Sequence, residues 1–251
     1  MKKLFVFAVL TFALSFNALA QSAGSRGAIP GKRTLPDFLE PRYETPGIFS
    51  PAVEDASIRI LGPVVFLGDS ITGDWDLTQS FPGLPFINQG FGGDTTVGMR
   101  IRFQADVIDL HPKTLIIEGG TNDIAGFSGP MTAEQSAANI AFMANLAREK
   151  RIYVVLATVL PVNDYCMDEQ GHPIIQTATR PPARIRALND LIRAIAAENQ
   201  YPLLDYYAAM VDEHGFMRAG LTIEGLHPNE KGHAVMAPLV PRAILAAQKR
   251  R

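Results

Sequence analysis

Short apolar segments alternate with amphipathic segments through most of this chain, and this alternation limits the fold more than any other feature. The apolar segments lack a polar–apolar alternation, which is typical of strands buried on both faces of a sheet. They are residues 64–67, 85–87, 114–118, 153–160 and 202–204. Because parallel neighbours need crossover connections, this order predicts an α/β fold with a five-stranded parallel sheet covered by helices.

Two of the amphipathic segments carry signals of where a helix begins. Thr132 and Gln135 form a capping-box pattern before one apolar stripe, and Pro181 and Pro182 precede another. We interpret both stripes as core contacts.

The composition excludes several classes of partner. The 251 residues include 23 Lys and Arg against 25 Asp and Glu, a formal charge of −2, so the basic footprint of a nucleic-acid-binding protein is missing. A single cysteine, Cys166, cannot form an internal disulfide and leaves no cysteine cluster for a metal. We therefore expect a small, neutral or mildly polar partner.

The first twenty residues have the pattern of a secretory signal peptide. A short basic start precedes an apolar run at residues 4–16, and residues 18–20 (Ala-Leu-Ala) supply a small-residue cleavage pattern. We expect cleavage before Gln21, which is not the cysteine that a lipid anchor would need. This predicts an exported protein, periplasmic or extracellular, with no stable membrane anchor after cleavage. A leader that is never cut and serves as an anchor is the alternative.

The rest of the chain divides into two parts. Residues 21–57 contain five prolines and no sustained apolar period, which predicts an extended arm. Residues 58–251 form the predicted α/β domain. Within it, residues 162–180 are long for a loop, so we expect this segment to be functional or mobile.

Chemically competent residues follow the apolar segments, where a parallel sheet places its working groups. Ser70 comes after the first segment at a predicted strand-to-helix turn, near backbone N–H groups that favour negative charge. A serine at this position is also a common helix N-cap, which is the alternative role.

A serine hydroxyl becomes a nucleophile when a base takes its proton, and that base needs a partner to orient it. His227 alone among the five histidines has a carboxylate three residues before it, Glu224, and a proline directly after it, Pro228. We therefore predict a catalytic set of Ser70, His227 and Glu224. The other histidines are interpreted as structural (His111 and His233, the latter in the last helix) or solvated (His172, His214).

A tetrahedral intermediate needs hydrogen-bond donors aimed at its oxyanion. The candidates are the backbone N–H groups of Ser70 and Gly93 and the side-chain amide of Asn122. A turn glycine and a loop-capping asparagine are the alternative roles of the last two. The neighbouring Asp94 and Asp123 are interpreted as capping residues.

Four sequence blocks carrying these residues resemble those of the SGNH hydrolases, also called GDSL-type esterases and lipases. They are the nucleophile block 65–72, the oxyanion glycine block 88–96, the oxyanion asparagine block 119–123 and the acid–histidine block 224–229. The resemblance extends in order across residues 64–245. It implies a flavodoxin-like three-layer α/β/α sandwich that hydrolyses carboxylic esters or thioesters without metal or cofactor. Two residues depart from the pattern, Ile71 in place of leucine and Glu224 in place of aspartate.

Three aromatic residues are candidates for the wall of a substrate cleft: Trp75, Phe127 and Tyr165. For Trp75 and Phe127 the alternative is that they cover an edge of the core.

Export favours short acyl esters such as acetate, with a small-molecule or polysaccharide alcohol. A thioesterase or lysophospholipase is an alternative enzyme, and a carbohydrate-binding pseudoenzyme with a decayed catalytic set is a non-enzymatic one. The oligomeric state is left open.

Overall fold

A five-stranded parallel sheet with the strand order β2-β1-β3-β4-β5 forms the centre of the fold. The computed structural model describes residues 60–249, so the predicted signal peptide at 1–20 and arm at 21–57 lie outside the described residues. The strands are β1 (Val64–Gly68), β2 (Phe86–Gly90), β3 (Thr114–Ile117), β4 (Tyr153–Ala157) and β5 (Leu203–Leu204). The predicted parallel sheet is confirmed, and its strand order is that of flavodoxin-like folds.

Helices follow each strand in the described part of the chain. They are α1 (Ser70–Gly73), α2 (Leu77–Ser80), α3 (Thr96–Asp106), α4 (Thr121–Ile124), α5 (Ala133–Glu149), α6 (Pro182–Asn199), α7 (Tyr206–Met210), α8 (Glu230–Met236) and α9 (Leu239–Gln248), with a 3-10 turn at Ile108–Leu110. The capping box of Thr132 and Gln135 is present at the start of α5, and α6 begins at Pro182. Both predicted helix starts are therefore confirmed.

Two groups of helices cover the sheet and make it the middle of three layers. Helix α5 packs against both α3 and α6, while α9 packs against β3, β4 and β5. Every residue of β1 and β3 is buried. Since successive strand residues point to opposite faces, both faces of these central strands lie in the core. Among residues 60–249, the helices lack the combination of length and apolarity needed to cross a membrane.

The second strand differs from its prediction in two ways. It extends to Gly90, so Asn88 and Gln89 lie within β2 rather than after it. Its residues are half-buried or exposed because, among the strands that the structure describes, β2 pairs with β1 alone and forms an edge of the sheet. The apolar run alone did not distinguish an edge strand from a central one.

Candidate active site

The turn from β1 into α1 positions Ser70. Asp69 is the N-cap of α1, and its carboxylate accepts a hydrogen bond from the Ile71 N–H at 2.9 Å. Ser70 is the first helical residue, so the alternative role of Ser70 as the N-cap is wrong. The first N–H groups of a helix have no partner within it, which leaves the Ser70 N–H available at this turn.

The loop before α8 brings His227 to Ser70. The Ser70 Oγ and His227 Nε2 lie 2.8 Å apart, although the two residues are 157 positions apart in the chain. On the other side of the ring, His227 Nδ1 donates to the Glu224 carboxylate, which also accepts from the His227 backbone N–H at 3.2 Å. This pairing sets the tautomer in which Nε2 accepts the serine proton.

A tight turn lets Glu224 reach back to the histidine. Gly225 has φ +92°, and a Cβ added there would lie 2.2 Å from the Asn163 carbonyl oxygen, so this position requires glycine. Two backbone hydrogen bonds hold this segment in place. The Asn163 N–H donates to the Gly225 carbonyl at 2.9 Å, and the Ile223 N–H donates to the His227 carbonyl at 2.9 Å.

Gly93 lies in a turn between β2 and α3. The Asp94 N–H donates to the Phe91 carbonyl at 3.1 Å, and Gly93 has φ +76°. A positive φ at the third position of such a turn is a type II feature that favours glycine, so the alternative role of Gly93 as a turn glycine describes its backbone. That role and a place in an oxyanion hole are compatible, because the turn fixes where the N–H points.

Asn122 is buried at the start of α4, after β3. Its Nδ2 donates one hydrogen bond, to the Asp94 carbonyl at 2.9 Å, and its Oδ1 accepts from Arg180 Nη2 at 3.2 Å. An amide nitrogen has two protons, so one remains to donate to a bound oxyanion. The contact with Asp94 also ties Asn122 to the turn that holds Gly93.

The acids beside the oxyanion candidates have different roles. Asp94 is not the N-cap of α3, which is Thr95, but its Oδ1 accepts from the Thr95 backbone N–H at 2.9 Å while its Oδ2 pairs with Arg102 Nε at 2.6 Å. Asp123 does cap: it accepts from the N–H of Thr96 in the first turn of α3 at 2.9 Å.

Phe127 lies beside the oxyanion candidates with an exposed ring. Its side chain is 62 % exposed, and a Cβ at Gly93 would lie 3.8 Å from its ring. Tyr165 is also exposed, but its hydroxyl donates to Asp212 at 3.0 Å and its ring packs edge-on against Phe216. The structure thus places Phe127 next to the candidate site and holds Tyr165 against the loop at 211–217.

Trp75 lies in the hydrophobic core, and it also lines a cleft. It is 4 % exposed, its Nε1 donates to Ser80 Oγ at 2.8 Å, and its ring stacks on His233. One edge of Trp75 lines a cleft of about 310 Å³ together with Pro228, which follows His227. The alternative role, cover over an edge of the core, describes these contacts best.

Two carboxyl groups are buried behind the nucleophile. Burial raises the pKa of Asp69 to about 7 from 3.8, although the Ile71 N–H and the charge of His227 lower it. Burial and the neighbouring Asp69 raise the pKa of Glu118 well above 4.5, although a hydrogen bond from Thr72 Oγ1 at 3.1 Å lowers it. The two acids therefore resist carrying two negative charges in this region at neutral pH.

The contacts that the structure shows for the remaining histidines are with residues other than Ser70. His172 and His214 are exposed beside Asp168 and Glu213, and His111 follows the 3-10 turn. His233 lies in α8 rather than in the last helix. Among residues 60–249, His, Cys, Asp and Glu side chains form no group of three or more suited to a metal ion.

Arg180 is the site residue that the sequence did not reveal. It ends the 162–180 segment, and its side chain contacts Asn122 from 58 positions away. An arginine before two prolines has no distinctive pattern, so only the folded chain shows that it is buried beside the site.

A five-stranded flavodoxin-like sheet with a Ser–His–Glu set at its carboxyl edge defines a class of hydrolase fold. The chain belongs to the GDSL-like lipase/acylhydrolase family, whose model matches residues 66–235. Ester hydrolysis is the activity that this family indicates, and the resemblance to SGNH hydrolases is confirmed.

Individual relatives agree with this assignment. The chain is 32 % identical to a GDSL-like lipase from Bacteroides thetaiotaomicron, with a TM-score of 0.65 over 78 % of this chain and 96 % of that one. It is 29 % identical to the uncharacterised lipoprotein YqeF of Bacillus subtilis, over 61 % of this chain and 73 % of the relative. An acetyl-xylooligosaccharide esterase from Geobacillus shares the fold at 20 % identity and a TM-score of 0.57, over 73 % of this chain and 94 % of that one.

Proposed function

We propose that this protein is an exported serine esterase that cleaves short-acyl carboxylic esters through an acyl-enzyme on Ser70. One observation carries the proposal: Ser70 Oγ lies 2.8 Å from His227 Nε2 while Glu224 holds the opposite nitrogen of the same ring. A hydroxyl, a base and an orienting acid in line are the parts that nucleophilic acyl transfer needs.

Acylation begins when Ser70 Oγ attacks the ester carbonyl and its proton passes to His227 Nε2. The Glu224 carboxylate stabilises the imidazolium that forms. The carbonyl oxygen becomes an oxyanion, which accepts hydrogen bonds from the N–H groups of Ser70 and Gly93 and from Asn122 Nδ2. When the intermediate collapses, the bond to the alcohol oxygen breaks, and His227 gives its proton to that alcohol.

Deacylation repeats these steps with water as the nucleophile. His227 takes a proton from water as the water oxygen attacks the acyl carbonyl, and the same donors hold the second oxyanion. Collapse releases the carboxylic acid and returns the proton from His227 to Ser70 Oγ. Each cycle consumes one ester and one water and releases one acid and one alcohol.

Three features support export and a short acyl group. The signal-peptide pattern at residues 1–20 favours export, and a relative, YqeF, is described as a lipoprotein, a class that is itself exported. A fold relative is described as an acetyl-xylooligosaccharide esterase, which is consistent with an acetylated sugar as substrate.

An acyl-chain series on the purified mature protein tests this proposal. We expect p-nitrophenyl acetate to be cleaved with a higher kcat/KM than p-nitrophenyl octanoate, and acetylated xylan to release acetate. Ser70→Ala should lower kcat by about 10⁴-fold or more. The matched control Ser128→Ala removes another loop serine, whose hydroxyl contacts Met131 at the surface, and should retain wild-type rates.

Each alternative has its own result in the same series. A strong preference for the octanoyl ester would refute the short-acyl assignment. Faster cleavage of an acyl thioester or a lysophospholipid would identify a thioesterase or lysophospholipase. Turnover that is absent from the wild type would leave the carbohydrate-binding pseudoenzyme. Turnover that is unaffected in Ser70→Ala would reject Ser70 as the nucleophile.

A further inference from the structure

A buried arginine lies behind the candidate oxyanion hole. Arg180 is 7 % exposed. Its Nη2 donates to Asn122 Oδ1 at 3.2 Å, and its Nε donates to Thr121 Oγ1 at 3.1 Å. Moving a charge out of water costs several kcal/mol even after relaxation, so a buried guanidinium needs compensating contacts. These two contacts hold it against consecutive residues of α4.

Acidic groups surround the guanidinium and balance its charge. Burial lowers the pKa of Arg180, while the charges of Asp69 and Glu224 raise it. Arginine remains protonated under such conditions. The positive charge of Arg180 is thus felt by both the carboxyl group that caps α1 and the acid that orients His227.

The contacts of Asn122 with Arg180 and with the Asp94 carbonyl together decide which end of the amide faces the substrate. A side-chain amide can rotate by half a turn and exchange its oxygen and nitrogen. Because Arg180 only donates hydrogen bonds, it selects the orientation in which Oδ1 points toward the guanidinium. Nδ2 then points the other way, where one proton binds the Asp94 carbonyl at 2.9 Å and the other is left for an oxyanion.

We propose that Arg180 is a positioning residue of the oxyanion hole, which fixes the Asn122 amide with its N–H toward the reacting carbonyl. This inference rests on the proposed function. An oxyanion exists only during the reaction, so the contribution of Arg180 appears in kcat more than in KM.

The segment that carries Arg180 also reaches the acid side of the site. Arg180 Nη1 donates to Gln176 Oε1 at 3.3 Å, and Gln176 Nε2 donates to the Glu224 carbonyl at 3.1 Å. The 162–180 segment therefore links Asn122 to the Glu224 loop through two side chains. This gives the long segment a place in the site that its length alone did not specify.

The test compares two arginines that brace the same loop. Arg180→Met keeps the aliphatic stem and removes the guanidinium, and we expect kcat on p-nitrophenyl acetate to fall by about 10- to 100-fold with little change in KM. This loss is smaller than the 10²- to 10³-fold loss typical of removing an oxyanion donor, because Asn122 remains present. Arg184→Met is the matched control: Arg184 donates to the Ile124 and Met131 carbonyls and does not contact Asn122, so this variant should stay within about threefold of wild type.

A double-mutant cycle separates positioning from general support of the fold. If Arg180 acts through Asn122, Arg180→Met in an Asn122→Ala background should lower kcat by less than about threefold further. Arg180→Lys keeps a charge but lacks the planar fork, so its kcat should fall between those of the wild type and Arg180→Met. Thermal melts recorded with each variant show whether it is folded.

Three results would overturn the inference: losses in Arg180→Met no larger than in Arg184→Met, losses that add fully to those of Asn122→Ala, or a loss confined to KM. If Arg180→Met does not fold, Arg180→Lys decides, and wild-type kcat in that variant would overturn the inference. Failure of the proposed function gives a different result, namely turnover that persists in Ser70→Ala.

Discussion

A glutamate takes the position where aspartate is usual in the resembling family, and the local backbone explains how the longer side chain fits. Glu224 lies three residues before His227, and the positive φ of Gly225 folds the chain back between them. The carboxylate accepts from both the ring and the backbone N–H of His227. Two hydrogen bonds to one residue hold the acid in place although its side chain is 27 % exposed.

Substitutions at Glu224 test the role of its charge. Glu224→Gln keeps the length and loses the charge, and we expect kcat to fall by up to about 10⁴-fold, the loss found when the orienting acid of a serine protease is neutralised. Glu224→Asp should retain more activity than Glu224→Ala, and Glu224→Ala should lose less than Ser70→Ala. Steady-state kinetics on p-nitrophenyl acetate measure all four variants.

Glu213→Gln is the control for that series, because Glu213 is an exposed glutamate beside His214 and away from the site. It should have wild-type kinetics. Wild-type kinetics in Glu224→Ala as well would mean that another group orients His227.

Residue-level prediction from the sequence depends on local spacing. Glu224, Gly225 and His227 fall within four positions, so their association was visible before the fold was known. Arg180 and Asn122 meet across 58 positions, and neither has a neighbour that signals the contact. Side-chain partners that only the fold brings together are not accessible from spacing.

At the scale of elements, the joint between β1 and α1, meaning the turn that contains Ser70, lies beside two buried acids, Asp69 and Glu118. Glu118 follows β3, and its carboxyl accepts from Thr72 Oγ1 in α1. Its other oxygen, Oε1, is buried and has no hydrogen-bond partner among residues 60–249. Burial and Asp69 raise its pKa well above 4.5. The Glu118 carboxyl, which favours its neutral form, thus connects α1, the helix that begins with Ser70, to the end of β3.

Glu118→Gln should make this joint less sensitive to pH. The folded pKa of Glu118 is raised above its unfolded value of 4.5, so its contribution to stability is complete below pH 4.5 and is lost as pH rises toward the folded pKa. The glutamine variant is neutral at every pH and can still accept from Thr72. We therefore expect its Tm to match the wild type near pH 5 and to exceed it increasingly toward pH 9, by about 2–4 °C for each kcal/mol.

Thermal melts at a series of pH values measure this effect. Glu149→Gln, which changes an exposed glutamate at the end of α5, should keep the pH dependence of the wild type. A Glu118→Gln variant with an unchanged Tm profile, or one destabilised most at high pH, would mean that Glu118 is ionised in the folded protein.

The positions of helices and strands are predicted well because periodicity and capping signals are local in the sequence. The pairing of strands is not predicted because it depends on residues far apart in the chain. The capping box fixed the start of α5, and the five apolar runs located the strands. Whether a strand lies at the centre or at the edge of a sheet depends on its partners, so β2 was expected to be buried and is not. The packing of Trp75 against His233 depends on the same long-range arrangement.

At the scale of the whole molecule, the strand order determines where the chemistry lies. Strands β1 and β3 are neighbours in the sheet, because the chain runs from β1 to β2 on one side and then crosses to β3 on the other. The switch point where such folds form their sites therefore lies between β1 and β3. Ser70 follows β1, Gly93 follows β2 and Asn122 follows β3. The sequence predicts which loops share the carboxyl edge of a parallel sheet, because that edge is common to all strands. It does not predict that residues of the long 162–180 segment contact Asn122 and the Glu224 carbonyl.

Trapping the acyl-enzyme tests the central claim most directly. The purified protein is mixed with p-nitrophenyl acetate, quenched in acid during turnover, and analysed by intact mass and peptide mapping. We expect one acetyl group per chain, located on Ser70 and absent from Ser70→Ala. An acetyl group on a different residue, or sustained turnover with no trapped intermediate and full activity in Ser70→Ala, would contradict the account.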